Sequence, residues 1–148
     1  MDPDVDLHVP AQRAELRRHP APVLLAIAAG GACGALARYG VAQAWPHGPG
    51  GFPWSTFVIN VSGCLLIGVL MVIVTEVAPE RRLLRPFAGV GLLGGYTTFS
   101  TYAVDFHRTA AAGAPWTALA YLAATVAGAL LGVWAGSALA HTVVRRLR

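Results

Sequence analysis

Four long apolar runs, each cut off by proline, glycine or arginine, dictate what this chain can fold into. A hydrocarbon core of about 30 Å needs roughly 20 predominantly apolar residues as α-helix. Four segments have that length: residues 23–45, 54–78, 87–106 and 116–144. In lipid a lone segment satisfies its own backbone N–H and C=O groups only as a helix. The pattern predicts an all-α membrane protein with four transmembrane helices. Pro46, Pro49 and Pro53 with Gly48, Gly50 and Gly51 mark the first connection, Pro79 and Pro86 bracket the second, and Gly113, Ala114 and Pro115 close the third. Trp45, Trp54 and Trp116 stand at span ends, where indole favours the membrane–water interface. Trp134 lies deeper in the fourth run and has no assigned role.

Charge follows the same punctuation. Only 12% of the 148 residues are charged, against about 25% in an average soluble domain. All eleven basic side chains are arginine. Arg13, Arg17 and Arg18 precede the first run, Arg81, Arg82 and Arg85 separate the second from the third, and Arg145, Arg146 and Arg148 end the chain. Arg108 lies between the third and fourth runs, and Arg38 alone lies within one. A nucleic-acid-binding domain would gather such charge on one solvated face. Here the net charge of +4 reads as membrane topology, with no nucleic-acid partner. The division is a cytoplasmic tail over residues 1–22, a channel-sized membrane domain over 23–144 and a basic tail over 145–148. The acids Asp2, Asp4, Asp6 and Glu15 argue against a signal peptide. Short-loop arginine bias sets orientation, and it places both termini in the cytoplasm. Cys33 and Cys64 lie within apolar runs and read as small packing residues. Glu76 and Asp105 fall near span ends, within reach of water.

The third run carries the chemical information. Residues 91–102 read GLLGGYTTFSTY. Paired glycines followed by four hydroxyl residues in five make a poor helix, because glycine is costly inside one and Ser/Thr compete for backbone bonds. One conformation is a continuous helix with back-bonded hydroxyls. The other is a helix broken near the middle, tolerated in a membrane only where protein or a wet cavity satisfies the freed groups. Unwound carbonyls of broken helices coordinate small cations. Elsewhere, Asn60 is the sole amide of the second run, with Thr56 on its face. Thr117, Tyr121 and Thr125 recur every four residues in the fourth. These polar groups read either as packing glue or as neutral donors that replace water around an anion. Neutral donors suit conduction, which needs an ion bound firmly enough to enter and loosely enough to leave. Ring edges are also electropositive, and Phe99 and Tyr102 are spaced to present theirs together. Arg38 either snorkels to the interface or raises the anion concentration in a vestibule. Glycines four apart (Gly30 and Gly34, Gly91 and Gly95, Gly128, Gly132 and Gly136) permit close helix approach.

The run GGYTTFSTY at residues 94–102 resembles the third-span signature of the Fluc (CrcB-like) family of bacterial fluoride channels, usually GGxTTFSTF. Residues 31–39 (GACGALARY), residues 56–63 (TFVINVSG), and Tyr121 with Thr125 agree with it, so the resemblance spans roughly residues 23–144. It implies a fluoride-specific channel that exports fluoride passively, built as an antiparallel dimer with two pathways along the subunit interfaces. It also implies a structural Na+ held by the backbone carbonyls of Gly94 and Thr97 in each subunit. Carried over by motif, Asn60, Phe99, Ser100, Tyr102, Tyr121 and Thr125 belong to the fluoride pathway and Arg38 to the vestibule. Two positions depart from the family: Tyr102 where phenylalanine is usual, and Ala129 where serine often extends the polar track. The arginine asymmetry adds that the partner is either a second copy or an oppositely oriented paralogue.

The alternative is a proton-coupled exporter of the small multidrug-resistance type, also dimeric with four spans. That type uses a carboxylate in its first span, and this first span has none. A non-conducting packing subunit is disfavoured by the hydroxyl-rich third run. No nucleophile, base and orienting group occur together, so an enzyme is not expected.

Overall fold

The computed structural model describes residues 20–147, all helix and connection, with no strand among them. The expected tail over residues 1–19 and Arg148 lie outside the described residues. Helix α1 spans Pro20–Ala44. The described helix includes Pro20 and Pro22, ahead of the expected Val23. Helix α2 spans Trp54–Val72 and runs on as a wider, π-helical turn over Ile73–Val77. The chain then turns at Pro79. Helix α3 comprises a π-helical stretch, Arg85–Leu93, and one α-helical turn, Gly94–Tyr96. Helix α4 spans Ser100–Ala111, and α5 runs unbroken over Pro115–Leu147. Arg145 and Arg146 of the expected basic tail therefore lie in the last turn of α5, where positive charge complements the helix dipole.

Three helical segments, 21–44, 54–77 and 115–146, are long and apolar enough to cross a membrane. The third expected span falls instead on α3 and α4.

Glycine sets how these helices pack. A Cβ on Gly30 would collide with the carbonyl of Phe87, one on Gly34 with that of Leu92, and one on Gly95 with that of Gly31. Helices α1 and α3 thus lie backbone against backbone. The same holds between α2 and α5, where a Cβ on Gly68 would strike the Val133 carbonyl and one on Gly136 the Leu65 carbonyl. Between helices in lipid such proximity supplies dispersion contacts that hydrophobic burial cannot. The buried side chains are partly polar, and include Ile59, Tyr102 and Tyr121 with Thr56, Thr98, Asp105 and Thr125. Large apolar groups face outward instead, among them Leu36, Leu130 and Trp134. The two cysteines are free, Cys33 exposed and Cys64 half-buried.

Candidate functional site

Between α3 and α4 the backbone leaves the helical path. Thr97 is extended, with φ −77° and ψ 161°, and helical geometry resumes at Phe99. Every departure from a helix frees N–H and C=O groups, which in an apolar medium must find partners. Asn60 supplies two of them. Its Nδ2 donates to the Thr98 carbonyl and its Oδ1 accepts from the Thr98 N–H, both at 2.9 Å. The amide imitates a peptide group, and only Asn or Gln carries a donor and an acceptor in that arrangement. The Thr98 hydroxyl serves the next turn. It accepts from the Thr101 N–H at 3.1 Å, as a helix-capping side chain does. It also meets the hydroxyls of Thr101 and Ser100, at 3.1 and 3.2 Å.

These bonds release two particular carbonyls. In an unbroken helix the Thr98 N–H would close onto Gly94 and the Thr101 N–H onto Thr97. Both N–H groups are bound to side chains instead. The Thr97 carbonyl receives a long contact of 3.5 Å from Arg38 Nη1. The Thr97 hydroxyl is turned away, donating to the Leu93 carbonyl at 2.9 Å. Backbone oxygens, rather than hydroxyls, are what this segment offers a cation.

A cavity of about 430 Å³ opens beside the interruption. Asn60, Gly94, Thr97, Phe99, Tyr102 and Thr125 line it, together with Cys64, Thr98, Val126 and Ala129. Six residues singled out in the sequence thus share one cavity. Phe99 is 79% exposed, and its ring lies 5.8 Å from that of Tyr102. The hydroxyl of Tyr102, the departure from phenylalanine, donates to the Leu122 carbonyl at 3.0 Å. Thr125 spends its proton on the Tyr121 carbonyl, at 2.8 Å, so it presents an acceptor rather than the expected donor.

Three of the singled-out residues lie off this cavity. Ser100 is exposed at the start of α4. Arg38 lines a separate space of about 360 Å³ with Ala35, Tyr39, Thr56, Thr98 and Thr101 among its walls. Tyr121 is fully buried, its ring 5.2 Å from Tyr102. Its hydroxyl lies beside Thr56 and Asp105 yet has no hydrogen-bond partner.

Asp105 departs from its expected place near water. It is 4% exposed, and Oδ2 accepts a 2.6 Å bond from Thr56 Oγ1. The spacing held a signal for this: Tyr102, Asp105 and Thr109 form the buried face of α4, at the three- and four-residue intervals of an inward stripe. Glu76, by contrast, is partly exposed and pairs with His141 Nδ1 at 2.8 Å. Thr98, which organises the interruption, is the other functional residue that sequence reasoning passed over. Its neighbours Thr97 and Ser100 are chemically alike, and only the fold distinguishes them.

Comparison with known proteins places this geometry in a family. The sequence profile described as "CrcB-like protein, Camphor Resistance (CrcB)" matches residues 25–137. The chain is 54% identical over 125 residues to Fluoride-specific ion channel FluC 2 of Streptomyces avermitilis, covering 84% of this chain and 79% of that protein. It is 58% identical over 119 residues to Fluoride-specific ion channel FluC 2 of Nocardia farcinica, covering 80% and 85%. It is 42% identical over 123 residues to Fluoride-specific ion channel FluC of Rhodospirillum centenum, covering 82% and 98%. With most of its length matched, this chain belongs to the CrcB-like family of integral membrane proteins.

Proposed function

We propose that this chain is a fluoride-specific channel that lets the anion leave the cytoplasm passively, through a multi-pass domain over residues 23–144. The observation that carries the reading is the cavity beside the interruption, where the Asn60 amide and the Phe99 and Tyr102 rings meet without a fixed cation among its walls. The names of the relatives support it, and those relatives are channels rather than proton-coupled exporters or enzymes. Hydrogen fluoride crosses the membrane from an acid medium and dissociates in the more alkaline cytoplasm. The anion then leaves down its electrical gradient. Asn60, Phe99, Ser100, Tyr102, Tyr121 and Thr125 are the pathway residues, and Arg38 belongs to a vestibule.

In this reading α3 and α4 form one transmembrane span broken at residues 97–99, and the working unit is an antiparallel dimer. A structural Na+ fits the chemistry of the break. Gly94 and Thr97 line the cavity, and the N–H groups that would close helical bonds onto their carbonyls are held by Asn60 and Thr98. When bound, the ion supplies a fixed positive centre for unwound backbone. Two carbonyls are too few to replace its hydration shell, so a second subunit completes the set. Sodium there competes with the Arg38 contact to Thr97.

The test is fluoride efflux from proteoliposomes containing this chain alone, read with a fluoride electrode. Efflux is expected to stall until a potassium ionophore is added, because uncompensated anion exit builds an opposing potential. Equal rates with and without ionophore would overturn the channel reading.

A further inference from the structure

The largest of the cavities described, about 590 Å³, has no part in the pathway so far. It lies between the first connection and the end of α4, and its walls include His47, Asp105, His107, Arg108 and Thr109. Arg108 supplies fixed positive charge in these walls, with two imidazoles beside it. Asp105 links this space to the inner cavity. Its carboxylate is buried against Thr56, the partnerless Tyr121 hydroxyl lies beside both, and the Tyr121 ring abuts Tyr102, which lines the inner cavity.

We infer that this cavity is the extracytoplasmic mouth of the anion path, and that His47, His107 and Arg108 hold fluoride there against the repulsion of Asp105. The inference rests on the channel reading. Its electrostatics are simple. An unscreened carboxylate at the mouth would expel a small anion, and Arg108 alone offsets that charge. The guanidinium raises the local anion concentration, and the imidazole N–H groups of His47 and His107 add donors that an anion accepts from. The other groups facing this space leave the balance unaltered: residues 109–120 of α4, the third connection and α5 carry no acidic or basic side chain, and neither do residues 48–59 of the first connection and α2. Arg38 lines a different space.

The experiment uses the full chain in proteoliposomes, with ionophore present and fluoride flux read by electrode at about 0.01 M and about 1 M ionic strength, where screening lengths are about 30 Å and 3 Å. Arg108→Gln is expected to slow flux about two- to tenfold at low ionic strength and to match wild type at high. Arg108→Lys keeps the charge and restores the low-salt rate. A variant that merely folds badly is slow at both ionic strengths and is not restored by lysine, and that pattern overturns the proposal. Wild-type rates in every variant overturn it as well, while leaving the channel intact. A wild-type protein that passes no fluoride in any condition removes the channel reading itself.

Discussion

Asn60 shows how much one side chain decides. A pore amide and a structural amide are different assignments, yet here one oxygen and one N–H are committed to Thr98, and the remaining Nδ2 hydrogen is left for the cavity. Asn60→Asp removes the donor and adds an acceptor-only charge, so the Thr98 carbonyl loses its partner and the anion meets a like charge. Flux is expected to fall nearly to background in the electrode assay, at matched protein level. A buried carbonyl left bare costs about 1–3 kcal/mol, so a lowered midpoint of thermal unfolding in detergent should accompany it. Wild-type flux would place Asn60 outside the pathway. Tyr102→Phe makes the opposite case. Its hydroxyl is engaged with Leu122, so the substitution should cost about 1 kcal/mol of stability while flux persists. A large loss of flux at unchanged stability would show that the hydroxyl serves the ion.

At the scale of elements, much of the architecture was legible because lipid permits so few backbone solutions. Proline and glycine clusters marked the connections, and the starts of α2 and α5 fall at or beside Trp54 and Trp116, as read from the sequence. The interruption was legible only as a choice. Gly94, Gly95 and the hydroxyl run weaken a helix, but what satisfies an open one is Asn60, 38 residues away, and a local pattern does not contain that pairing. The burial of Asp105 stayed hidden for the same reason, since its partner Thr56 belongs to another helix. The π-helical turns of α3 left no mark in the sequence. Because the Thr97 side chain bonds back to Leu93 and only its carbonyl is offered, Thr97→Ser is expected to retain any sodium dependence of stability or flux. Thr97→Ala should retain it too, with a modest loss of stability. Loss of sodium dependence in Thr97→Ala would assign the ion to the hydroxyl. Packing between elements has its own test. Gly34→Val would drive side chain into the Leu92 carbonyl, with no flexible group to yield. The folded fraction in size-exclusion chromatography should collapse, whereas Gly40→Ala, with open space around it, should elute as wild type.

For the whole molecule the open matter is which way it sits in the membrane, and the arginines bear on it directly. In the four-span reading, the segment before α1, the stretch from the second connection into the start of α3, and the end of α5 share one side, and they carry three arginines each. Toward the other side lies Arg108, in the last turn of α4, and neither connection there holds an arginine. A protein that inserts in both orientations needs a bias near zero, since short-loop arginine and lysine set orientation. Nine against one predicts a single dominant orientation with both termini in the cytoplasm. An antiparallel dimer then calls for a partner of opposite bias, a paralogue rather than a second copy. Labelling from either side of the membrane decides the matter. A single cysteine is placed at the C-terminus, in a background with Cys33 and Cys64 replaced, and the chain is expressed alone. Reaction with a membrane-impermeant maleimide is expected from the cytoplasmic side only. Comparable reaction from both sides would defeat the fixed orientation and make the dimer one of identical chains.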